Sequence, residues 1–88
     1  MVVWKFPLES RQGNHVLHVP VGSVFLSTAL VEDKPVAYFL VDEDKKDMVQ
    51  SVSYKAIWTG SNDIEVKSTD KFLGTVVRPE GLVVHYFQ

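Results

Sequence analysis

Hydrophobic and polar residues alternate along most of this chain with a period of two, which is the pattern of β-strands. In the first segment, residues 2–8, four apolar residues fall on one side and Lys5 lies on the other, while Pro7 favours an edge or a strand end. Similar patterns predict further strands at residues 15–19, 24–31, 36–42, 71–77 and 82–87, and another that begins at Met48 or Val49 and ends at Trp58. Residues 64–66 are predicted to form a brief strand or one turn of helix.

Helical periodicity is absent from the chain. No stretch carries apolar residues at three-and-four spacing over the ten or more residues that a helix needs. We therefore predict an all-β fold. The chain is expected to be a single domain, residues 1–88, built as a small antiparallel β barrel or sandwich of about six to eight strands.

Two adjacent predicted strands, residues 24–31 and 36–42, form the hairpin around which the rest of the chain is organised. The predicted turn, residues 32–35, consists of turn-forming residues with three charges. Pro35 can stand only at the start of its strand, because proline has no amide hydrogen for a ladder. The second strand is apolar on both faces until Asp42 and so needs cover on both sides. That cover can come from a second sheet, a helix or another copy of the chain, and we expect a homo-oligomer.

Polar stretches separate the strands. Residues 20–23 predict a tight turn or a bulge, and the mixed-charge residues 42–47 predict a solvated loop. Residues 78–81, with proline in the second position, predict a four-residue turn. Residues 59–63 are the densest cluster of small polar residues and end the strand before them.

Composition and charge narrow the functional classes. The chain has 88 residues and no cysteine, which excludes disulfides and thiolate metal sites. Nine basic and eleven acidic side chains give a formal charge of −2. The protein therefore lacks the positive electrostatic field that drives binding to a nucleic-acid polymer. The first residues do not form a secretory signal, and no run approaches the roughly 20 apolar residues of a membrane span. We expect a cytoplasmic protein that binds neither nucleic-acid polymers nor membranes.

Motifs for metal binding and catalysis are absent from the sequence. His15 and His18 are three positions apart, and on a strand an odd separation sends side chains to opposite faces; His85 can meet one of them only through the fold. There is no Gly-x-Ser-x-Gly nucleophile motif, no phosphate-binding loop and no dinucleotide fingerprint. We predict a protein that is not an enzyme and that carries no metal and no cofactor.

Binding is the remaining class, and the aromatic residues point to it. Ten aromatic residues are many for so small a domain; most belong in a core, but a ring at a strand end can stack on a nucleobase. The turn after Trp58 has hydroxyls, an amide and a glycine that a ligand can approach closely, although an ordinary β-turn has the same composition. The candidate ligand-binding residues are Trp58, Thr59, Gly60, Ser61, Asn62 and Tyr38, with Lys55 and Arg78 as candidates for neutralising phosphate.

Several short motifs, in order, resemble a small-domain family that is common in bacteriophage genomes. The segments that carry the resemblance are Trp4-Lys5-Phe6-Pro7-Leu8, Val19-Pro20-Val21-Gly22-Ser23-Val24-Phe25, Val41-Asp42, Thr59-Gly60, Phe72-Leu73-Gly74-Thr75 and Val84-His85-Tyr86-Phe87. They span nearly the whole chain. The chain departs from the family where members often have Gly-Thr-Gly-His, because Ser61 and Asn62 follow Gly60 here. Any role that the histidine of this loop has in other family members therefore does not apply to this chain.

The resemblance implies a function that the residues alone do not specify. The family is similar to viral sponge proteins that sequester the cyclic nucleotide signals of bacterial immune systems such as CBASS and Thoeris. For this chain, the resemblance implies a non-enzymatic protein that binds a cyclic nucleotide in the host cytoplasm. A different class remains open, namely an inhibitor or interaction protein that binds a host protein through an exposed sheet edge or an apolar patch. A third functional class is a minor structural component of a virion.

Overall fold

The computed structural model describes all of residues 1–88 as seven strands and one short 3-10 helix. The strands are β1 (Val2–Pro7), β2 (Gly13–Pro20), β3 (Val24–Val31), β4 (Lys34–Val41), β5 (Val49–Trp58), β6 (Phe72–Val77) and β7 (Val83–Phe87), and the 3-10 helix is Glu43–Lys45. The prediction of an all-β chain is confirmed. None of its helical segments has the length and apolar character to cross a membrane.

The strands form two antiparallel sheets. One has three strands in the order β1-β4-β3, and the other has four in the order β2-β5-β7-β6. Strand β3 of the first sheet packs against β6 of the second, but the two belong to separate hydrogen-bonded sheets. The sheets are therefore not closed into a barrel. The edge strands are β1 and β3 in the first sheet and β2 and β6 in the second, and β3 and β6 lie against each other.

The core lies between the two sheets and takes side chains from both. Phe39 of β4 meets the edges of two neighbouring rings, with centroids 5.5 Å from Phe6 and 5.6 Å from Phe25. On the four-stranded side, Tyr86 and Val84 are completely buried. The accessible surface of 5509 Å² is close to the roughly 5,200 Å² expected of a folded monomer of this size. The chain thus exposes about as much surface as an ordinary monomer of its size.

The predicted hairpin is present, but its turn is shorter than the sequence indicated. Glu32 and Asp33 have φ values of 49° and 64°, as in the two-residue type I′ turn whose twist matches that of the strands. Lys34 and Pro35 already pair with β3, so the predicted turn over residues 32–35 was two residues too long. The carbonyl of Pro35 accepts a hydrogen bond from Leu8 N–H at 3.0 Å, and the nitrogen of Pro35 points to the same side of the strand. Leu8 lies beyond the end of β1, so no ladder bond from the Pro35 nitrogen is needed and the proline is tolerated.

The two faces of β4 are covered differently. Ala37 and Phe39 point into the core, as the prediction of cover by a second sheet requires. On the opposite face Val36 is also buried and Tyr38 and Leu40 are half-buried, while Val3 and Val24 on the neighbouring strands are 53% and 52% exposed. Ile57 on the outer face of the four-stranded sheet is buried, and Lys55 on the same face bonds loop 59–71 at the Glu65 carbonyl.

Outside the hairpin turn, the connections depart from the sequence prediction at two places. The predicted loop 42–47 contains the 3-10 helix Glu43–Lys45. Residues 64–66 form neither a strand nor a helical turn, so that prediction was wrong. The ammonium group of Lys55 bonds the main-chain carbonyl of Glu65 at 2.9 Å and the carboxylate of Asp70 at 2.8 Å, and these side-chain contacts replace a ladder. The turns at residues 20–23 and 78–81 are present as predicted, each closed by a main-chain hydrogen bond.

The two sheets approach closely where β6 passes β3. Gly74 lies directly over the hydroxyl of Thr28, and a Cβ at position 74 would collide with that oxygen. Its φ of 148° is also unfavourable for residues with a side chain. Only glycine allows the two strands to pass at this distance.

Candidate functional site

The connection between β1 and β2, residues 8–12, is fastened to the four-stranded sheet by its polar groups. Glu9 N–H donates to the hydroxyl of Tyr54 at 2.8 Å, and the hydroxyl of Tyr86 donates to the Glu9 carbonyl at 2.9 Å. Burial raises the pKa of the Tyr54 and Tyr86 hydroxyls above the usual value, so both keep their protons to a higher pH than an exposed tyrosine does. The loop is therefore held in place by two buried phenols.

Trp58 stands at the end of β5, against this loop. Its indole N–H donates to the carbonyl of Ser10 at 2.8 Å, and its main-chain N–H donates to the side-chain oxygen of Gln12 at 3.0 Å. The residue is nevertheless 38% exposed. Trp58 is thus neither a core residue nor a free one: one edge is fixed, and part of the side chain faces solvent.

The turn after Trp58 is a hydrogen-bonded β-turn with free amides. Ser61 N–H donates to the Trp58 carbonyl at 3.1 Å, and the φ of 82° at Gly60 fits the third position of a type II turn. The hydroxyl of Ser61 accepts from the Gln12 amide at 2.6 Å. The N–H groups of Gly60 and Asn62 have no protein acceptor, and a Cβ built at Gly60 would meet nothing within 4 Å. The turn therefore offers two amides to an anion that approaches from solvent.

Arg78 reaches the same loop from the end of β6. Its Nη1 donates to the hydroxyl of Ser10 at 2.9 Å, and its Nε lies 3.0 Å from a carboxylate oxygen of Glu80. The side chain of Arg78 is 25% exposed. Ser10 thus holds Trp58 through its carbonyl and Arg78 through its hydroxyl. We call these two side chains the indole–guanidinium pair.

Two of the predicted site residues lie away from this pair. Lys55 sits in the middle of β5 and binds Asp70, whose pKa is held below its usual value by the hydrogen bond from that ammonium group. Tyr38 is on the outer face of the three-stranded sheet, opposite Lys5 and Ser27. The structure therefore brings together Trp58, the turn and Arg78, but not Lys55 or Tyr38.

The three histidines do not converge. His15 and His18 lie on opposite faces of β2, as the odd spacing predicts. His85 is held between two hydroxyls, with Thr59 Oγ1 at 2.6 Å from its Nε2 and Thr75 Oγ1 at 2.9 Å from its Nδ1. The structure contains no group of three or more His, Asp or Glu side chains placed to hold a metal ion.

Sequence reasoning missed the residues that assemble the site. Ser10 and Gln12 belong to a polar stretch that indicates only a turn, and they contact residues more than forty positions away. No local pattern marks them, because their partners are set by how the two sheets pack.

A separate depression of about 350 Å³ lies on strands β2 and β5. The residues around it are Asn14, His15, Val16, Ser53, Tyr54, Lys55 and Gln88. Lys55 is its only member among the predicted site residues, and that ammonium group is already paired with Asp70. The depression is therefore distinct from the indole–guanidinium pair.

Comparison with known proteins gives a family and no function. No curated protein and no solved structure matches the chain. A family model described as a domain of unknown function (DUF7352) matches residues 1–88, the whole of the sequence. The chain therefore belongs to the DUF7352 family of domains of unknown function.

Proposed function

We propose that this protein, which we regard as a small β-sandwich, is a non-enzymatic binder that sequesters a cyclic nucleotide in the host cytoplasm. The observation that carries the proposal is that one residue, Ser10, holds both the exposed indole of Trp58 and the guanidinium of Arg78. An indole stacks on any nucleobase, and a guanidinium pairs with phosphate. The resemblance to viral sponge proteins supplies the ligand class.

Fixing the two side chains before a ligand arrives favours binding. Ordering a flexible side chain at an interface costs about 0.5–1.5 kcal/mol. The hydrogen bonds to Ser10 are formed in the free protein, at 2.8 Å for Trp58 and 2.9 Å for Arg78. Little further ordering is then needed when a base stacks on Trp58.

The turn adds donors for phosphate. Gly60 and Asn62 each present a main-chain N–H that no protein group accepts. The hydroxyl of Thr59 is engaged with His85, so it supports the turn and does not contact the ligand. In this proposal the two free amides and Arg78 form the anion-binding part of the site, and Trp58 forms the aromatic part.

Glu80 competes with a phosphate for Arg78. Its carboxylate oxygen lies 3.0 Å from Arg78 Nε, and its side chain is 56% exposed, so it can swing into solvent when a phosphate arrives. The pair is only partly exposed, because the Arg78 side chain is 25% exposed and its Nε is shielded from solvent, and a partly exposed ion pair contributes modestly to stability. We therefore expect Glu80→Gln to strengthen nucleotide binding by a few-fold, with an unchanged fold.

The test is isothermal titration of the purified protein against cyclic dinucleotides, cyclic trinucleotides and cyclic ADP-ribose isomers. We expect one selective ligand. Trp58→Ala should weaken its affinity by roughly 10- to 100-fold, the loss of one stacked base. Trp58→Phe keeps a ring for stacking but loses the bond to Ser10, so its affinity should lie between those of the wild type and Trp58→Ala.

A matched control separates stacking from general damage. Phe72 is an aromatic residue on edge strand β6 that is 56% exposed, and Phe72→Ala should leave the affinity unchanged. Circular dichroism must show that each variant is folded. The proposal is overturned if the folded wild-type protein binds no member of the panel, or if Trp58→Ala and Phe72→Ala bind equally well.

A further inference from the structure

Strand β2 has a free edge whose main-chain groups are unpaired. Val21 N–H donates to the Met48 carbonyl at 2.7 Å, which makes this a hydrogen-bonded pair of the β2–β5 ladder. Main-chain groups of alternate residues in an antiparallel strand point to the same side. The odd-numbered residues of β2 therefore bond β5, while Asn14, Val16 and His18 direct their N–H and C=O groups to the free edge. No protein group meets them.

This edge lacks the features that normally prevent pairing. By contrast, β1, an edge strand of the other sheet, carries Lys5 and Pro7, both of which discourage a further strand from adding. Strand β2 is eight residues long and has no Asp, Glu, Lys or Arg; its one proline, Pro20, is the last residue. Val16, at its middle, is 55% exposed. A long, uncharged edge of this kind pairs readily with another strand.

We propose that two copies of the chain pair edge to edge along β2, antiparallel, with a twofold axis at Val16. In this register Val16 faces Val16 of the second copy, and Asn14 faces His18. Every free N–H and C=O group of the three residues then has a partner. A shift by two residues in one direction places Pro20, which has no N–H, opposite Asn14. The opposite shift places His18 opposite Gln12, which lies outside β2. The edge is therefore self-complementary in its hydrogen bonds and carries no like charges to repel.

The dimer changes the surface around its axis. The two four-stranded sheets become one continuous sheet with β2 of each copy at the centre. Asn14 and Val16 line the 350 Å³ depression, and His18 of the second copy comes to lie opposite Asn14. Each depression thus gains a wall from the other copy. This inference does not rest on nucleotide binding.

Sedimentation equilibrium from micromolar to near-millimolar concentration tests the pairing. We expect the wild-type protein to be a dimer at the upper end of this range. Val16→Pro removes an N–H that points away from β5, so the fold tolerates it, while the dissociation constant should rise roughly 10- to 100-fold. Val3→Pro is the matched control: Val3 is 53% exposed and points its N–H to the free edge of β1. It should leave the dimer intact.

Disulfide trapping tests the register. The Cα atoms of a hydrogen-bonded antiparallel pair lie about 5.5 Å apart, within the range that a disulfide spans. The chain has no cysteine of its own. Val16→Cys should therefore oxidise to a covalent dimer, His18→Cys alone should not, and the double variant Asn14→Cys, His18→Cys should. A protein that stays monomeric at every concentration, or a Val16→Cys variant that crosslinks no better than Val3→Cys, overturns the proposal.

Discussion

The hydroxyl of Tyr86 donates a hydrogen bond of 2.9 Å to the main-chain carbonyl of Glu9, across 77 positions of the sequence. Tyr86 is completely buried, so the bond anchors the connection between β1 and β2 in the core. The same loop holds Trp58 and Arg78 through Ser10. A buried phenol therefore fixes the position of the exposed pair.

Tyr86→Phe should lower the free energy of unfolding by about 1–2 kcal/mol, because the Glu9 carbonyl loses its donor while the ring still packs. Urea denaturation followed by tryptophan fluorescence measures this. Tyr38→Phe is the matched control, since the Tyr38 hydroxyl bonds no protein group, and it should change stability very little. Equal effects of the two variants would show that the bond to Glu9 does not stabilise the protein.

The same tyrosines predict how stability falls at alkaline pH. Burial raises the pKa of Tyr54 and Tyr86 in the folded protein, whereas in the unfolded chain both titrate near their usual value of about 10. Above that pH the unfolded state loses protons that the folded state keeps, so stability decreases as the pH rises. Denaturation at increasing pH should show a decline beginning near pH 10. The decline should be shallower in Tyr86→Phe, and an unchanged slope would contradict this account.

Gly74→Ala should be strongly destabilising, by about 2–4 kcal/mol, because the new Cβ collides with the Thr28 hydroxyl and the backbone is strained. Gly81→Ala is the control: Gly81 also has a positive φ, of 92°, but a Cβ there meets nothing within 4 Å. It should cost only the backbone strain, about 1–2 kcal/mol. Thermal unfolding of both variants separates the two contributions. If both substitutions lower the stability equally, the close approach of β3 and β6 does not exclude a side chain at position 74.

Asp33→Gly should stabilise the protein by up to about 1 kcal/mol, because glycine relieves the left-handed conformation at the second residue of the type I′ turn. Lys34→Gly, one residue later in β4, should instead destabilise it by about 0.5–1 kcal/mol, because a flexible residue in a strand loses more entropy on folding. Chemical denaturation of the two variants should give opposite signs. The same sign for both would argue against the turn geometry.

The ion pair between Lys55 and Asp70 predicts a contribution to stability at neutral pH that acid removes. The Lys55 hydrogen bond lowers the pKa of Asp70 in the folded state, so the stabilisation is present above the usual carboxylate pKa and is lost as the pH falls through the lowered one. Asp70→Asn should therefore be less stable than wild type at pH 7 and equal to it in strong acid. Asp47→Asn, which removes a carboxylate without an ion pair, should show no such pH dependence. A difference that persists in acid would contradict the assignment.

Local sequence patterns predicted strands and turns well where the structure depends on residues close together in the chain. Strand β5 has the predicted bounds, and the turn at residues 78–81 is present as expected. The bounds were less accurate at Lys34 and Pro35, because left-handed dihedrals at Glu32 and Asp33 make the turn tighter than its charged composition indicates. Residues 64–66 were mistaken for an element because an apolar pair can also lie in a loop that a distant lysine holds.

The candidate site was only partly visible in the sequence. Trp58 and its turn stand out because an aromatic residue and small polar residues are adjacent. Arg78 was a candidate by its charge alone, and its convergence with Trp58 depends on Ser10, which is more than forty positions from either residue. Lys55 was an equally good candidate by charge, yet the structure pairs it with Asp70.

The sequence by itself determined that the chain is made of β-strands and where most of them begin and end, because alternation with a period of two depends only on neighbouring residues. The tertiary structure alone decided how the strands are ordered in two sheets, that β2 is left with an uncharged free edge, and that Trp58 and Arg78 meet at Ser10. These relationships join residues far apart in the chain. They follow from the packing of one shared core, which no local pattern records.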